Sequence, residues 1–182
     1  MKNFFFIFLF VLLGQQSVNA QKPLKVWVVR HAEKLVVDPK DKDPELSEEG
    51  KLRAEALAKL LKGQKIDSIF ATNYKRTKLT GFPLADKIGI SVKTYDPAQI
   101  KVLAKEWTKN AAGKNILIVG HSNTVLEIIE AFGGKKPVAE LTDDDYDYLF
   151  ELNIKGNKVD VKAGRYGADH HAKEDKAGSK KM

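Results

Sequence analysis

The chain of 182 residues contains no cysteine. That absence removes disulfides, a thiol nucleophile, a zinc–thiolate centre and a lipid-bearing cysteine from consideration, and leaves an apolar core to hold the fold alone. Long apolar runs are missing too, with one exception, Phe4–Leu13. It is too short to cross a bilayer comfortably, which takes about 20 residues. Lys2 precedes the run and Val18-Asn19-Ala20 follows it, the layout of a secretory leader cleaved after Ala20. An uncleaved N-terminal anchor is the alternative. The expectation is a leader over residues 1–20 and a mature chain without a transmembrane span, exported to the periplasm or the extracellular space.

A concentrated basic face is also lacking. The formal charge is +7, but from Lys162 onward six Lys/Arg stand against three Asp/Glu. With Lys2 in the leader, only +3 remains for the folded part. No basic stripe interleaved with aromatics occurs, which argues against a nucleic-acid partner. No internal repeat is visible. The stretch from Ala168 is small, charged and aperiodic, so a single domain over residues 21–167 is expected, followed by a disordered basic tail over 168–182. His170 and His171 fall in that tail and suggest at most an adventitious metal contact.

What is present alternates. Leu24–Arg30 reads as a buried strand. Two Asp-Pro steps then forbid continuous helix or sheet as far as Ser47, a good helix N-cap with Glu48 and Glu49 behind it. Ala54, Leu57, Ala58 and Leu61 follow at helical spacing, ending near Gly63. A short strand is expected at Ile66–Thr72 and a helix from about Tyr74 to Ile88, kinked at Pro83. "ISVKTY" is a third strand, Ile100 to Ala111 a helix, and Asn115–Gly120 the clearest buried strand. Val125, Ile128, Ile129 and Phe132 stripe the next helix, and two alternating runs around Lys155-Gly156-Asn157 make a hairpin. The fold class expected is α/β: a three-layer sandwich with a mostly parallel central sheet flanked by helices, plus a C-terminal antiparallel hairpin.

Reactive groups in such sheets collect beyond the C-terminal strand ends. There stand Arg30-His31 after the first strand, Asn73, Tyr74 and Arg76 after the second, Asp96 after the third, and His121-Ser122-Asn123 after the fourth. Two histidines and two arginines at one edge repel unless an anion sits among them. Phosphate suits the planar paired donors of arginine and the free N–H groups of the helix starting at Asn123. Neighbouring arginines favour a neutral imidazole, whose nitrogen can act as a nucleophile. The chemistry expected is phosphoryl transfer to one histidine followed by attack of water, with no metal and no cofactor. The aspartates of "TDDDYDY" read as a solvated turn or helix cap that could shape the pocket rim.

At these residues the chain resembles the histidine phosphatase superfamily, in its phosphoglycerate mutase-like branch. "VWVVRHAEK" is similar to the family's Arg-His-Gly strand end, "LSEEGKLRAEALA" to its Leu-Ser-x-x-Gly helix start, "IFATNYKRTKLTGFPLA" to the segment of its second arginine, and "ILIVGHSNTV" to the strand of its second histidine. The resemblance implies that His31 is the phosphorylated nucleophile, with Arg30, Arg76 and His121 as the phosphate pocket; the strand-end reading adds Ser122, Asn123 and Asn73 as phosphate-binding candidates. Ala32 departs from the family's glycine. The family's general acid, placed between the second arginine and the second histidine, has no obvious counterpart in this short chain. Asp96 is the first candidate and Glu33 the second; the third possibility is that a good leaving group needs no acid. The activity implied is hydrolysis of a small phosphomonoester, with a mutase less favoured and a non-catalytic phosphate-binding pocket as the alternative.

Overall fold

Residues 22–171 are described by a computed structural model. The expected leader and residues 172–182 of the expected tail lie outside them. The elements are β1 (Leu24–Arg30), α1 (Glu48–Leu61), β2 (Ser68–Ala71), α2 (Lys75–Ile88), β3 (Val92–Thr94), α3 (Ile100–Asn110), β4 (Asn115–Gly120), α4 (Ser122–Ala131), β5 (Tyr148–Lys155) and β6 (Lys158–Arg165).

Strand β1 is apolar at every position from Val26 to Val29 because both of its sides are covered. Val26 and Val28 join one core with Ile116 and Ile118 of β4 and with α3 and α4. Trp27 and Val29 join the other with Leu117, Val119 and residues of α1 and α2. Strand alternation thus feeds two helical layers from one central sheet, the three-layer sandwich expected. The strand order is β3-β2-β4-β1-β5-β6. The first four strands run parallel, whereas β5 pairs antiparallel with β1 and closes a hairpin with β6.

Register sets up the site. Arg30 lies beside Gly120 and Ala71 beside Val119, so β1, β2 and β4 end at one level. The His31 N–H extends the ladder by donating to the Gly120 carbonyl at 2.9 Å. Helix α1 starts as its sequence dictates, with the Ser47 hydroxyl accepting from the Gly50 N–H at 3.1 Å. Gly50 has a packing reason as well: a Cβ there would sit 2.2 Å from the Glu33 carbonyl oxygen. The "LSEEG" glycine therefore lets the helix lie directly on the segment after His31. Helix α2 continues through Pro83 as one element. Among the described residues, no helix is long and apolar enough to cross a membrane.

Candidate active site

Beyond the parallel strand ends lies an open cleft of about 410 Å³ lined by Arg30, His31, Lys34, Tyr74, Arg76, Pro97, His121, Ser122, Asn123, Thr124 and Asp143. The structure thus brings together both histidines and both arginines expected from the sequence, and with them Ser122 and Asn123. A larger groove of about 950 Å³ lies along the β5–β6 hairpin, among lysines partly paired with carboxylates, and holds neither histidine nor arginine.

His31 is buried, and its Nδ1 lies 2.8 Å from the Ala32 carbonyl oxygen. A carbonyl only accepts, so Nδ1 carries the proton and Nε2 keeps a free lone pair. Burial pushes this imidazole down to about 3; the Ala32 bond opposes the push, and Arg30, Arg76 and His121 reinforce it. His121 is lowered to about 4 by burial and then by Arg76 and Arg30. Both rings are therefore neutral at pH 7, their centroids 5.3 Å apart in an edge arrangement. Ala32 accounts for its own place: it is fully buried, and its N–H donates to the Thr80 hydroxyl of α2 at 2.9 Å. A methyl group is accommodated where the family resemblance implied glycine.

The second ring is held from below. His121 Nε2 lies 2.8 Å from the Thr72 hydroxyl, which lies 3.0 Å from the Thr77 hydroxyl. Thr77 in turn donates to the carbonyls of Thr72 and Tyr74 at 2.9 and 2.8 Å. The Thr77 proton is thus committed to carbonyl oxygens, and the Thr72 proton is left to serve either Thr77 or His121. The backbone N–H of His121 donates to the Thr124 hydroxyl at 2.9 Å, fixing the entry to α4.

The arginines are anchored differently. Arg30 Nη1 donates to the carbonyls of Thr142, Asp143 and Asp145 at 2.8, 3.0 and 3.3 Å, and its Cζ lies 3.9 Å from the centre of the Tyr146 ring. Arg76 lies over the Tyr74 ring at 4.3 Å, with Asp43 Oδ1 at 3.8 Å from its Nη1. The Nε of each arginine is buried without a partner. Two guanidinium groups, two neutral imidazoles and the N-terminus of α4 around one cleft are chemically suited to an oxyanion.

Three expectations are corrected. Asp96 does not line the cleft: it is exposed, and its carboxylate caps the short 3₁₀ turn Pro97–Gln99 by accepting from the Ala98 N–H at 2.9 Å. Glu33 is buried on the far side of the strand end, accepting from Arg53 Nε at 2.8 and 3.0 Å and lying 2.8 Å from His170 Nδ1. Burial tends to raise its carboxyl, but the bonds from His170 and Arg53 outweigh that and hold it below the ordinary value. It is an ionised structural partner, the opposite of a proton donor. Asn73 is exposed and accepts from Lys78 Nζ at 2.6 Å, and Tyr74 takes its place on the cleft wall.

The boundary of the tail also moves. Ala168 accepts from Arg53 Nη2 at 2.8 Å, His170 meets Glu33, and His171 Nδ1 lies 2.6 Å from Asp147. Residues 168–171 are therefore part of the folded body. Asp147, 1% exposed, and Asp145, 6% exposed, are not solvated turn residues. Among the described residues, Asp143 is the one carboxylate on the cleft lining, 3.5 Å from Arg30 Nη2. The sequence reading of the aspartates in "TDDDYDY" as a solvated turn that could shape the pocket rim reached Asp143; Thr72, Thr77, Tyr146 and Lys34 it missed. Thr72 alone carried a local signal, as the polar residue directly after β2. Among the described residues, no group of three His, Asp or Glu is placed to hold a metal ion.

Comparison with known proteins bears on this cleft. Residues 26–99 match the family model of the histidine phosphatase superfamily (branch 1). No curated protein matches the chain. Among solved structures it is similar to the protein histidine phosphatase SixA complexed with tungstate, at 15% identity and a TM-score of 0.62, covering 78% of this chain and 96% of that one. It is also similar to the mycobacterial glucosyl-3-phosphoglycerate phosphatase Rv2419c, at 13% identity and 0.60, over 81% and 100%. Mycobacterial hydrolase 2 gives 14% and 0.62, over 85% and 94%. At such identities these likenesses concern the fold. Residues 26–99 thus match the histidine phosphatase superfamily by sequence, and the described residues share the fold of these phosphatases.

Proposed function

We propose that the protein is an exported phosphomonoester hydrolase that works through a phosphohistidine on His31 without a metal ion. The observation that carries this reading is the bond from His31 Nδ1 to the Ala32 carbonyl, which leaves Nε2 as a bare lone pair in a cleft walled by Arg30 and Arg76. In the first step Nε2 attacks phosphorus, the bond to the leaving oxygen breaks, and that oxygen departs with the electron pair. In the second, water attacks the phosphohistidine, the P–N bond breaks, and phosphate leaves with the imidazole restored. Arg30, Arg76, His121 and the first N–H groups of α4 offset charge on the equatorial oxygens, the part a metal ion plays elsewhere.

Among the described residues, Asp143 is the carboxylate that lines the cleft. Its side chain is 99% exposed, so a substrate whose leaving group departs without much help suits the cleft best. A cleft that no described segment covers favours a small or protruding phosphate group. Two of the structural neighbours were solved with oxyanions, SixA with tungstate and Rv2419c with inorganic phosphate. Export is supported by the leader pattern of residues 1–20.

Purified protein should release phosphate from an activated aryl phosphate, and His31→Ala should not. A folded protein with no turnover, yet able to bind phosphate, would favour the second reading, a non-catalytic phosphate-binding pocket. That reading draws on one specific observation: neither Asp96 nor Glu33 lines the cleft. For export, N-terminal mass analysis of material outside the cytoplasm should find Gln21 first; an intact Met1 would overturn the leader.

A further inference from the structure

Arg30 is the first wall of the oxyanion cleft, yet most of what holds its guanidinium is not regular structure. The three carbonyls that bind Nη1 and the ring under its face belong to the segment 142–146, between α4 and β5. An irregular loop fixes a functional group only if something fixes the loop. Part of the answer is internal, since the Asp145 carboxylate accepts from both the N–H and the hydroxyl of Thr142 at 2.7 Å. The rest comes from the C-terminal segment. The Tyr146 N–H donates to the His170 carbonyl at 2.9 Å, and the imidazole of His170 stacks on the Tyr146 ring with centroids 5.0 Å apart. Arg30, Tyr146 and His170 thus form one packed series of planar groups.

The other edge of the same imidazole reaches the nucleophile's side of the cleft. His170 Nδ1 lies 2.8 Å from Glu33 Oε1, and Glu33 is two residues from His31. Glu33 also locks to Arg53 of α1, whose Nη1 binds the Tyr166 carbonyl at 2.8 Å. One residue therefore touches both supports of the cleft, the loop behind Arg30 and the strand end carrying His31. Next to it, His171 and Arg165 converge on the buried Asp147 at 2.6 Å each, tying the segment to the start of β5.

We infer that the segment 167–171 is a strap of the oxyanion cleft, with His170 as a positioning residue that holds Arg30 through Tyr146 and steadies the segment after His31 through Glu33. The inference rests on the reading of the cleft as an oxyanion receptor. It does not need turnover. His170 touches neither phosphate nor the leaving group, so its loss should show in binding of the anion before it shows in the chemical step.

The test uses full-length protein and two probes, inorganic phosphate and tungstate, titrated calorimetrically well below the unfolding temperature. His170→Ala should weaken both by about three- to tenfold, the scale of a lost hydrogen bond and stacking contact. KM for an aryl phosphate should rise by a similar factor, with kcat changed less than twofold. His170→Phe keeps the stack on Tyr146 and loses the Glu33 bond. It should recover part of the affinity, and it supplies the comparison if the alanine variant folds poorly. Unchanged oxyanion affinity in a folded His170→Ala overturns the strap, even if its unfolding temperature falls. A wild-type protein that binds neither probe overturns the receptor and the strap together. A wild type that binds them without hydrolysing anything overturns only the hydrolase, and leaves the strap standing.

Discussion

The four histidines form two pairs with opposite surroundings. His31 and His121 sit among arginines at the ends of parallel strands, pushed down to about 3 and about 4. His170 and His171 sit against buried carboxylates at the end of the chain, and those carboxyls, Glu33 and Asp147, lie below their ordinary values because hydrogen bonds from the histidines and from Arg53 and Arg165 outweigh their burial. The same side chain is thus a neutral imidazole beside cations in one place and the partner of a fixed carboxylate in the other. What differs is the sign of the neighbouring charge. A histidine walled by cations keeps its lone pair free for an incoming electrophile, whereas one bound to a carboxylate is committed to structure.

The largest effect that would sharpen this contrast is on turnover. His31→Ala removes the only nucleophile the account offers and should lower kcat by on the order of 10⁴ or more, by analogy with loss of a covalent nucleophile elsewhere. His171→Ala, from the other pair, should leave the chemical step nearly untouched. The second effect is on stability. Glu33→Ala leaves Arg53, 3% exposed in its side chain, without its carboxylate. Breaking such a buried pair costs about 3–5 kcal/mol, read as a lower denaturant midpoint. A small loss there would mean that the carboxylate pair holds nothing.

The third prediction concerns acid. An unfolded imidazole takes up its proton near 6.5, but folded His31 does so only near 3. Below pH 6.5 the unfolded chain therefore binds more protons, and stability falls with falling pH, by about 1.4 kcal/mol per unit for such a group until the folded value is reached. Glu33 and Asp147, lowered in the fold, add losses of the same sign below their ordinary carboxylate values. Ring resonances of His31 and His121 should stay still between pH 8 and 5 in the ligand-free protein. Titration of either near 6.5 would erase the contrast between the pairs.

The smallest effect expected is at Thr72, fully buried beneath His121. Thr72→Val keeps the shape and removes the hydroxyl that the second ring faces, and it should cost roughly three- to tenfold in kcat/KM, with recovery in Thr72→Ser.

Legibility in the sequence followed the same division. β1, β4 and the groups at their ends were readable because an apolar strand that stops in Arg-His or His-Ser-Asn breaks its own pattern, and sheet topology says where strand ends meet. The α1 start was readable from Ser47 and its acidic first turn. Asp96 was misplaced because a strand-end position does not say that the carboxylate will turn back to cap its own 3₁₀ turn. Glu33 was misplaced because its partners, Arg53 and His170, stand 20 and 137 residues away, beyond any local signal. The tail was misjudged at 168–171 for a related reason. The composition of 168–171 is that of a solvated segment, and what orders it is long-range contact with Arg53, Glu33, Tyr146 and Asp147.

The most direct test of the central claim is to trap the intermediate. Protein quenched during turnover of an aryl phosphate, kept at alkaline pH and digested, should yield a phosphorylated peptide containing His31. The adduct should be labile to acid, appear in His121→Ala at a lower rate and be absent from His31→Ala. Hydrolysis that proceeds with no such adduct, or with a phosphoryl group on any other residue, would contradict the assignment of His31 as the nucleophile.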